Sequence, residues 1–256
     1  MIETVVFDMG GVIFTATPDP DMRLAFAAET IKLVSAHGVH IPDSPEVFAE
    51  KLEIADKIRK HDNEKALIEF PPLECWADYY LKEYGATREQ LFPIAEELCF
   101  RWNSERNVAA LRRDANVCMQ ALYDMGLRLA IISNTISRTY VPTLLAEYGL
   151  SRYFELVILS SVTGLRKPDA AIFELCRTAL GSPDKDTLCY VGDTISRDVI
   201  GTRNAKWGTM VRIHNRIAKR SEKVREDALE ESSYKPDYEI EELTELPALI
   251  RSLNAK

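Results

Sequence analysis

Four short stretches of this chain carry side chains that could do chemistry together. Asp8 follows the apolar run Val5-Val6-Phe7 and precedes Met9-Gly10-Gly11. Ser133-Asn134-Thr135 follows Ala130-Ile131-Ile132, and Gly192-Asp193-Thr194 follows Cys189-Tyr190-Val191, with Asp198 close behind. The fourth is Arg166-Lys167-Pro168-Asp169. A carboxylate can act as a covalent nucleophile, hydroxyls and backbone N–H groups can hold a developing oxyanion, and grouped carboxylates suit a hard divalent cation. Each stretch also has a plainer reading. An Asp after a strand is often a helix N-cap. Ser-Asn is a common turn, Lys-Pro-Asp marks a helix start, and two acids can sit apart on a surface.

What sets these residues apart is their place relative to the predicted elements. Short apolar or β-branched runs at Thr4–Phe7, Leu127–Ile132, Leu156–Leu159, Leu188–Val191 and Thr209–Ile213 read as strands buried on both faces. Between the later runs lie helical periods, such as Val141, Leu144, Leu145 and Tyr148, then Ile172, Phe173, Cys176, Ala179 and Leu180. Alternating strands and helices predict an α/β protein with a parallel sheet and right-handed crossovers. Open parallel sheets bind ligands beyond the carboxyl ends of their strands. Asp8, Ser133 and Asp193 stand at such ends, and Lys167 waits at a helix start.

From about residue 16 to 106 the rhythm changes to helices without a convincing strand. Val47, Phe48, Leu52, Ala55 and Ile58 form one predicted buried stripe; Leu73, Trp76, Ala77, Tyr80, Leu81 and Tyr84 form a second. Leu91, Ala95, Leu98 and Trp102 form a third, and Pro18, Pro20, Pro42, Pro45, Pro71 and Pro72 punctuate the series. A helical unit of about 90 residues, enough for a small core of its own, is thus expected as an insertion after the first strand. Residues 215–234 carry mixed charge and one thin apolar stripe, which reads as a solvated surface helix.

Composition narrows the function classes. The 256 residues are 46% hydrophobic and 28% charged, with a formal net charge of −8. That length buries an adequate core without disulfides, and the acidic balance argues against a general nucleic-acid binder. It also means that a site for an anion must supply its own local positive charge. No apolar run is long enough to span a bilayer. An acid at Glu3 and Asp8 within the first apolar run do not suit a signal peptide. Five scattered cysteines without a CxxC pair fit packed, reduced thiols. A cytoplasmic protein with no membrane or nucleic-acid partner is the expectation.

With these motifs in place, the chain resembles the haloacid dehalogenase superfamily over nearly its whole length. Asp8 matches the family's nucleophile, Ser133 its second motif, Lys167 its third, and Asp193 with Asp198 its acidic fourth. The resemblance implies a Rossmann-like core over residues 1–15 and 107–256, with an inserted all-helical cap over 16–106. The stretch Lys235–Ile240, followed by Leu243, Leu246, Leu249 and Leu253, is similar to the family's last strand and helix. It further implies hydrolysis of a small phosphorylated metabolite through an aspartyl-phosphate, with Mg²⁺ as cofactor. Asp8, Asp193, Asp198 and the Gly10 carbonyl would hold the cation, while Ser133, Asn134 and Lys167 would bind the substrate's phosphoryl group. Metal and Lys167 would then make the site locally positive despite the acidic chain. Without metal, the clustered carboxylates are expected to repel and raise at least one pKa.

One position departs from the family pattern. Most phosphatases of the family carry a second Asp two residues after the nucleophile, as general acid and base; here that residue is Gly10. General acid–base help contributes about 10²–10⁴-fold. Three readings follow: a phosphatase of substrates with good leaving groups, a hydrolase of C–P or C–halogen bonds, or a phosphate-ligand or protein-binding module with little turnover. Asp19 and Asp21 are possible substitute acids, although a solvated loop suits them as well. A phosphonatase would need a cap lysine, for which Lys32, Lys51, Lys57, Lys60, Lys65 and Lys82 are available. His37-Gly38-Val39-His40 reads as a loop rather than a metal pair, because Gly38 and Pro42 disfavour a helix there. Trp76, Tyr79, Tyr80 and Trp102 have the spacing of core residues, and Arg101 and Arg197 read as surface arginines.

Overall fold

A computed structural model describes residues 1–214 and 234–255 of the protein. Apart from Tyr234, the surface helix expected over 215–234 lies outside the described residues. The strands are β1 (Thr4–Phe7), β2 (Phe14–Pro18), β3 (Asn107–Leu111) and β4 (Arg128–Ser133), followed by β5 (Leu156–Leu159), β6 (Leu188–Gly192), β7 (Thr209–Ile213) and β8 (Tyr238–Ile240). Six of them form one parallel sheet in the order β5-β4-β1-β6-β7-β8. This is the expected α/β arrangement, with β1 between β4 and β6, so the ends bearing Asp8, Ser133 and Gly192 are neighbours.

The sheet is covered on both faces, as the period of two along its strands requires. Val5, Phe7, Leu129, Ile131, Cys189 and Val191 pack on one face. Helices Ala115–Asp124, Tyr140–Glu147 and Leu246–Asn254 lie there. Val6, Ala130, Ile132, Leu188 and Tyr190 face the other way, toward helix Ala170–Ala179 and Trp207. All five cysteines are buried without disulfide partners. Burial pushes the thiols of Cys75, Cys118 and Cys176 up to about 12, so none is poised as a nucleophile.

Helices fill the stretch between β2 and β3, and the two strands pair antiparallel. Neither strand is visible in the sequence: β2 reads Phe-Thr-Ala-Thr-Pro, short and polar, and only Phe14 in it is buried. The prolines mark helix starts, with Pro20, Pro45 and Pro72 each in a first turn. Phe26, Phe48, Leu52, Trp76, Tyr80, Leu98 and Trp102 meet in a second core.

Two of the predicted stripes differ in detail. Helix Pro45–Ala66 buries Phe48 and Leu52, but Val47 and Ile58 are exposed. Its inner row continues through Asp56, Arg59 and Asn63. Polar groups occupy a buried face there because they satisfy one another. Arg59 donates to Tyr80 Oη at 3.0 Å, Asn63 Oδ1 at 2.8 Å and Asp56 Oδ1 at 2.9 Å. The predicted helix over 73–84 is not continuous either. Cys75–Tyr80 winds as a π-helical turn and Lys82–Tyr84 as a 3₁₀ turn.

Polar groups fasten these helices to the sheet half. Glu96 Oε1 accepts from Ser137 Oγ at 2.8 Å, Arg138 N at 2.8 Å and Thr139 Oγ1 at 2.9 Å, just ahead of helix Tyr140–Glu147. Glu69 N donates to Gly164 O at 2.8 Å, and Asn103 Nδ2 to Thr135 Oγ1 at 2.8 Å. Glu96→Ala removes the acceptor of Ser137 Oγ, Arg138 N, Thr139 Oγ1 and Thr139 N, and is expected to cost about 1–3 kcal/mol. Urea denaturation checks this, and an unchanged midpoint would show that the seam does not depend on Glu96.

Candidate active site

Asp8 leaves the end of β1, and its backbone N–H donates to Val191 O at 2.9 Å, which locks the first turn after β1 against β6. Its Oδ1 accepts from Met9 N at 2.7 Å and lies 2.9 Å from Lys167 Nζ. The same ammonium lies 2.7 Å from Asp198 Oδ1 and 2.8 Å from Tyr190 Oη. Lys167 is 2% exposed and Asp198 wholly buried, so this is a desolvated ion cluster rather than a surface pair. Asp198 Oδ2 accepts from Thr194 N at 3.0 Å and Thr194 Oγ1 at 2.6 Å. Both of its oxygens are therefore committed to protein donors.

The glycine before Asp193 follows from this packing. A Cβ at Gly192 would lie 2.3 Å from Asp198 Cβ, so any side chain there would push Asp198 off the strand end. Asp193 then turns into the same space. Oxygens of Asp8, Asp193 and Asp198 lie within 4.8 Å of one another, the one such acidic group found among the described residues.

Asn134 has a supporting geometry. Its Nδ2 donates to Lys167 O at 3.0 Å, and its Oδ1 accepts from Lys167 N at 3.0 Å. A side-chain amide thus clamps the backbone that carries Lys167, while Asp169 caps the helix that follows by accepting from Ala171 N. Both the plain and the chemical reading of Lys-Pro-Asp hold in this segment: Asp169 starts the helix and Lys167 reaches inward.

Burial pushes the Asp8 carboxyl above its ordinary range; Lys167 opposes the rise and the Asp198 charge adds to it. The rise expected from carboxylate repulsion is present, with desolvation as its leading cause. Asp198 goes the other way. Its burial acts upward, but Lys167, Arg197 and the hydrogen bonds from Lys167 and Thr194 outweigh it and hold the carboxyl low.

One cavity of about 490 Å³ is lined by Asp8, Gly10, Ser133, Asn134, Lys167 and Asp193, positions read from the sequence. Its far wall comes from the helical insertion, with Arg23, Glu53, Asp56, Lys60, Trp102 and Arg106. Asp19 and Asp21 are elsewhere: Asp19 caps helix Pro20–Ala36, accepting from Asp21 N and Met22 N. Neither is among the residues that line this cavity. Lys60 lines it and is ion-paired with Asp56 at 2.7 Å. Arg197 also lines the cavity rather than lying on an outer surface.

Sequence reasoning overlooked Tyr190, Thr194, Arg23, Glu53 and Arg106. Tyr190 left a faint signal, a hydroxyl within an otherwise apolar strand run. Arg106 left none, since its ion pair with Glu53 joins residues far apart in the chain; it also stacks 3.3 Å from the ring of nearby Trp102.

The donor set suits a hard divalent cation. Three buried carboxylates crowd one ammonium and one neighbouring guanidinium, leaving negative charge that Mg²⁺ would balance through oxygen ligands.

Known proteins share this fold. The family model of the haloacid dehalogenase-like hydrolases matches residues 2–206. A mouse N-acylneuraminate-9-phosphatase is 25% identical over 89% of this chain and 86% of its own. A glyceraldehyde 3-phosphate phosphatase of Methanopyrus kandleri is 24% identical over 99% of both chains. A pyrimidine 5'-nucleotidase of Escherichia coli is 28% identical, and the match spans about half of each chain, 53% of this one and 55% of the other. Among solved structures, a 2-haloacid dehalogenase from Pseudomonas syringae superposes with a TM-score of 0.68 at 18% identity, over 99% of this chain and 100% of the other. A phosphatase from Thermococcus onnurineus gives 0.58 at 21% identity, over 97% and 98%.

The glycines test the packing account. Gly192→Ala is expected to cost about 1–3 kcal/mol by overpacking against Asp198. Gly10→Ala, with no atom within 4 Å of the added carbon, is expected to leave the urea midpoint nearly unchanged. Equal losses at both positions would contradict it.

Proposed function

The chain belongs to the haloacid dehalogenase-like hydrolases, and on that premise we propose that it hydrolyses the phosphate monoester of a small metabolite, with Mg²⁺ and with Asp8 as nucleophile. The observation that carries this reading is that Asp8, Ser133, Lys167 and Asp193 line one cavity. Had they faced separate cavities, they could not share one small anion. Phosphatases that align with the chain over most of its length support the same reading.

Asp8 Oδ1 is held by Met9 N–H and Lys167, which fixes the carboxylate plane and leaves Oδ2 for attack. Oδ2 bonds to phosphorus as the ester P–O bond breaks, giving an aspartyl-phosphate and an alkoxide. The alkoxide takes a proton from solvent to leave as the alcohol, a proton that the attacking water of the next step returns. A water then attacks phosphorus, the P–Oδ2 bond breaks, and inorganic phosphate leaves Asp8 restored. Splitting one displacement into two in this way lowers the barrier to each. Attack of an anion on an anion needs charge neutralisation, because positioning and electrostatics carry most of phosphoryl transfer. Lys167 supplies one positive charge at the nucleophile, and the Ser133 hydroxyl with the backbone N–H groups after it would hold phosphoryl oxygens. When bound, Mg²⁺ would neutralise phosphoryl charge, held by Asp8, Asp193 and the Gly10 carbonyl with Asp198 closing the acidic wall.

The helical insertion, residues 16–106, would act as the cap that closes on the substrate. Asp198, both of whose oxygens accept from protein groups, would chiefly hold Lys167 in place. Asn134, clamped to the Lys167 backbone, would do the same. Gly10 removes the usual acid from the position facing the leaving group, so turnover is expected to favour substrates whose alcohol or acid leaves without help. Nothing in the local backbone demands glycine there: the space beside it is open.

Three measurements follow. Asp8→Asn is expected to abolish Mg²⁺-dependent phosphate release from an aryl phosphate, and retained activity would dispose of covalent catalysis by this residue. Gly10→Asp is expected to raise kcat/KM on simple alkyl phosphates by at least about tenfold, toward the contribution typical of a general acid. If the unaltered enzyme already treats aryl and alkyl phosphates alike, another group serves as the acid. Mg²⁺ is expected to raise the Tm of the unaltered protein and to lose most of that effect in Asp193→Asn.

A further inference from the structure

A second, smaller cavity of about 170 Å³ abuts the first, sharing with it Lys60, Trp102, Asn103, Asn134, Thr135 and Arg197. Its remaining polar wall is Arg59, Glu69 and Arg166. Four cationic side chains therefore face one carboxylate. Asp56 also pairs with Arg59 and Lys60 from outside this wall. Cationic side chains thus predominate in the lining of this cavity, in a chain whose net charge is −8.

Arg166 stands out within this wall. It is 5% exposed, and its guanidinium donates through Nη1 to Glu69 Oε2 at 2.6 Å. Its Nε–H is enclosed and without an acceptor, while Nη2, which is not enclosed, makes no hydrogen bond to a described residue. Buried polar groups are rarely left unmatched, and those that are call for an explanation. Burial pushes the Arg166 pKa below its ordinary range; the Glu69 and Glu64 charges oppose this, and the nearby Arg197 and Arg59 charges add to it. Cations gathered in this way would be relieved by an anion.

Resting on the phosphatase reading above, we propose that this side cavity is a subsite for a second anionic group of the substrate, a carboxylate or a second phosphate, recognised by Arg166. The substrate class is then a phosphate monoester that carries another anion a few bonds from the ester oxygen. A volume of about 170 Å³ has room for one such charged group. This also accounts for the charge placement in the insertion: Arg59 and Lys60, on helix Pro45–Ala66, lie over the subsite and complete it from the side opposite Arg166. Glu69 ties the two sides together, accepting from Arg166 and, at 3.4 Å, from Arg59.

The test uses three probes of one chain length: hydroxypropyl phosphate, phosphooxypropanoate and propanediol bisphosphate, assayed by phosphate release with Mg²⁺. The unaltered enzyme is expected to prefer one or both anionic probes over the hydroxyl probe by at least about tenfold in kcat/KM, since a donor left without its acceptor penalises the wrong substrate. The bisphosphate value is halved for its two equivalent esters, and the better anionic arm identifies the source of the charge. Arg166→Lys keeps a cation for Glu69 but removes Nη2 and the planar guanidinium, and the preference is expected to shrink several-fold. Because each preference is a ratio within one protein, a general loss of activity cancels. Equal rates on all three probes with the unaltered enzyme would overturn the subsite while leaving the phosphatase reading standing, and this arm needs no variant to fold. A preference that survives Arg166→Lys would overturn the role of Arg166. No release from any probe, nor from an aryl phosphate, would overturn both readings.

Discussion

The structure turns on one buried ammonium shared between two carboxylates. Lys167 contacts Asp8 at the end of β1 and Asp198 in the turn after β6, with Tyr190 beneath. Breaking a buried pair by removing one partner typically costs about 3–5 kcal/mol, because the charge left behind has no solvent. That constraint explains features that look separate. Gly192 is needed so that Asp198 can lie against the strand end. Thr194 saturates the other Asp198 oxygen, and Asn134 clamps the backbone that delivers the lysine. None of these contacts is made in the unfolded chain, and together they hold Lys167 and Asp8 facing the cavity.

The same logic extends outward to the insertion. Its helices have an aromatic core of their own, and they touch the sheet half through apolar contacts of Ile136 and of Phe100 with Tyr140. Beside these they meet it through polar groups: Glu96 ahead of helix Tyr140–Glu147, Asn103 on Thr135, and Glu69 between Arg59 and Arg166. A hydrogen-bonded seam can open and reform more readily than an apolar one, because water replaces its partners, whereas parting two apolar faces leaves both unfavourably hydrated. An insertion held in this way suits a lid that admits and releases a polar molecule. Arg166 and Lys167, adjacent in sequence, place one cation in each of the two neighbouring cavities.

Much of this was legible in the residues. The five strands expected from apolar runs formed close to their predicted ends, because fully buried parallel strands leave an unbroken apolar signature. The site residues followed from their place at strand ends, and all but the deeper Asp198 line one cavity. What escaped notice has a common physical cause. The strands β2 and β3 are short and half exposed, so their pairing leaves no pattern. The buried row Asp56-Arg59-Asn63 reads as a solvated face, since only the three-dimensional partners make its burial tolerable. The clamp of Asn134 on Lys167 and the stacking of Arg106 on Trp102 likewise join distant or unremarkable positions.

The central claim is that Asp8 becomes covalently attached to phosphorus. Rapid acid quenching during turnover of an aryl phosphate with Mg²⁺, followed by mass analysis of the peptide that contains Asp8, tests it most directly. The account predicts one added phosphoryl group on Asp8, which appears with turnover and disappears once substrate is exhausted. Sustained phosphate release with that peptide unmodified at every quench time would contradict it.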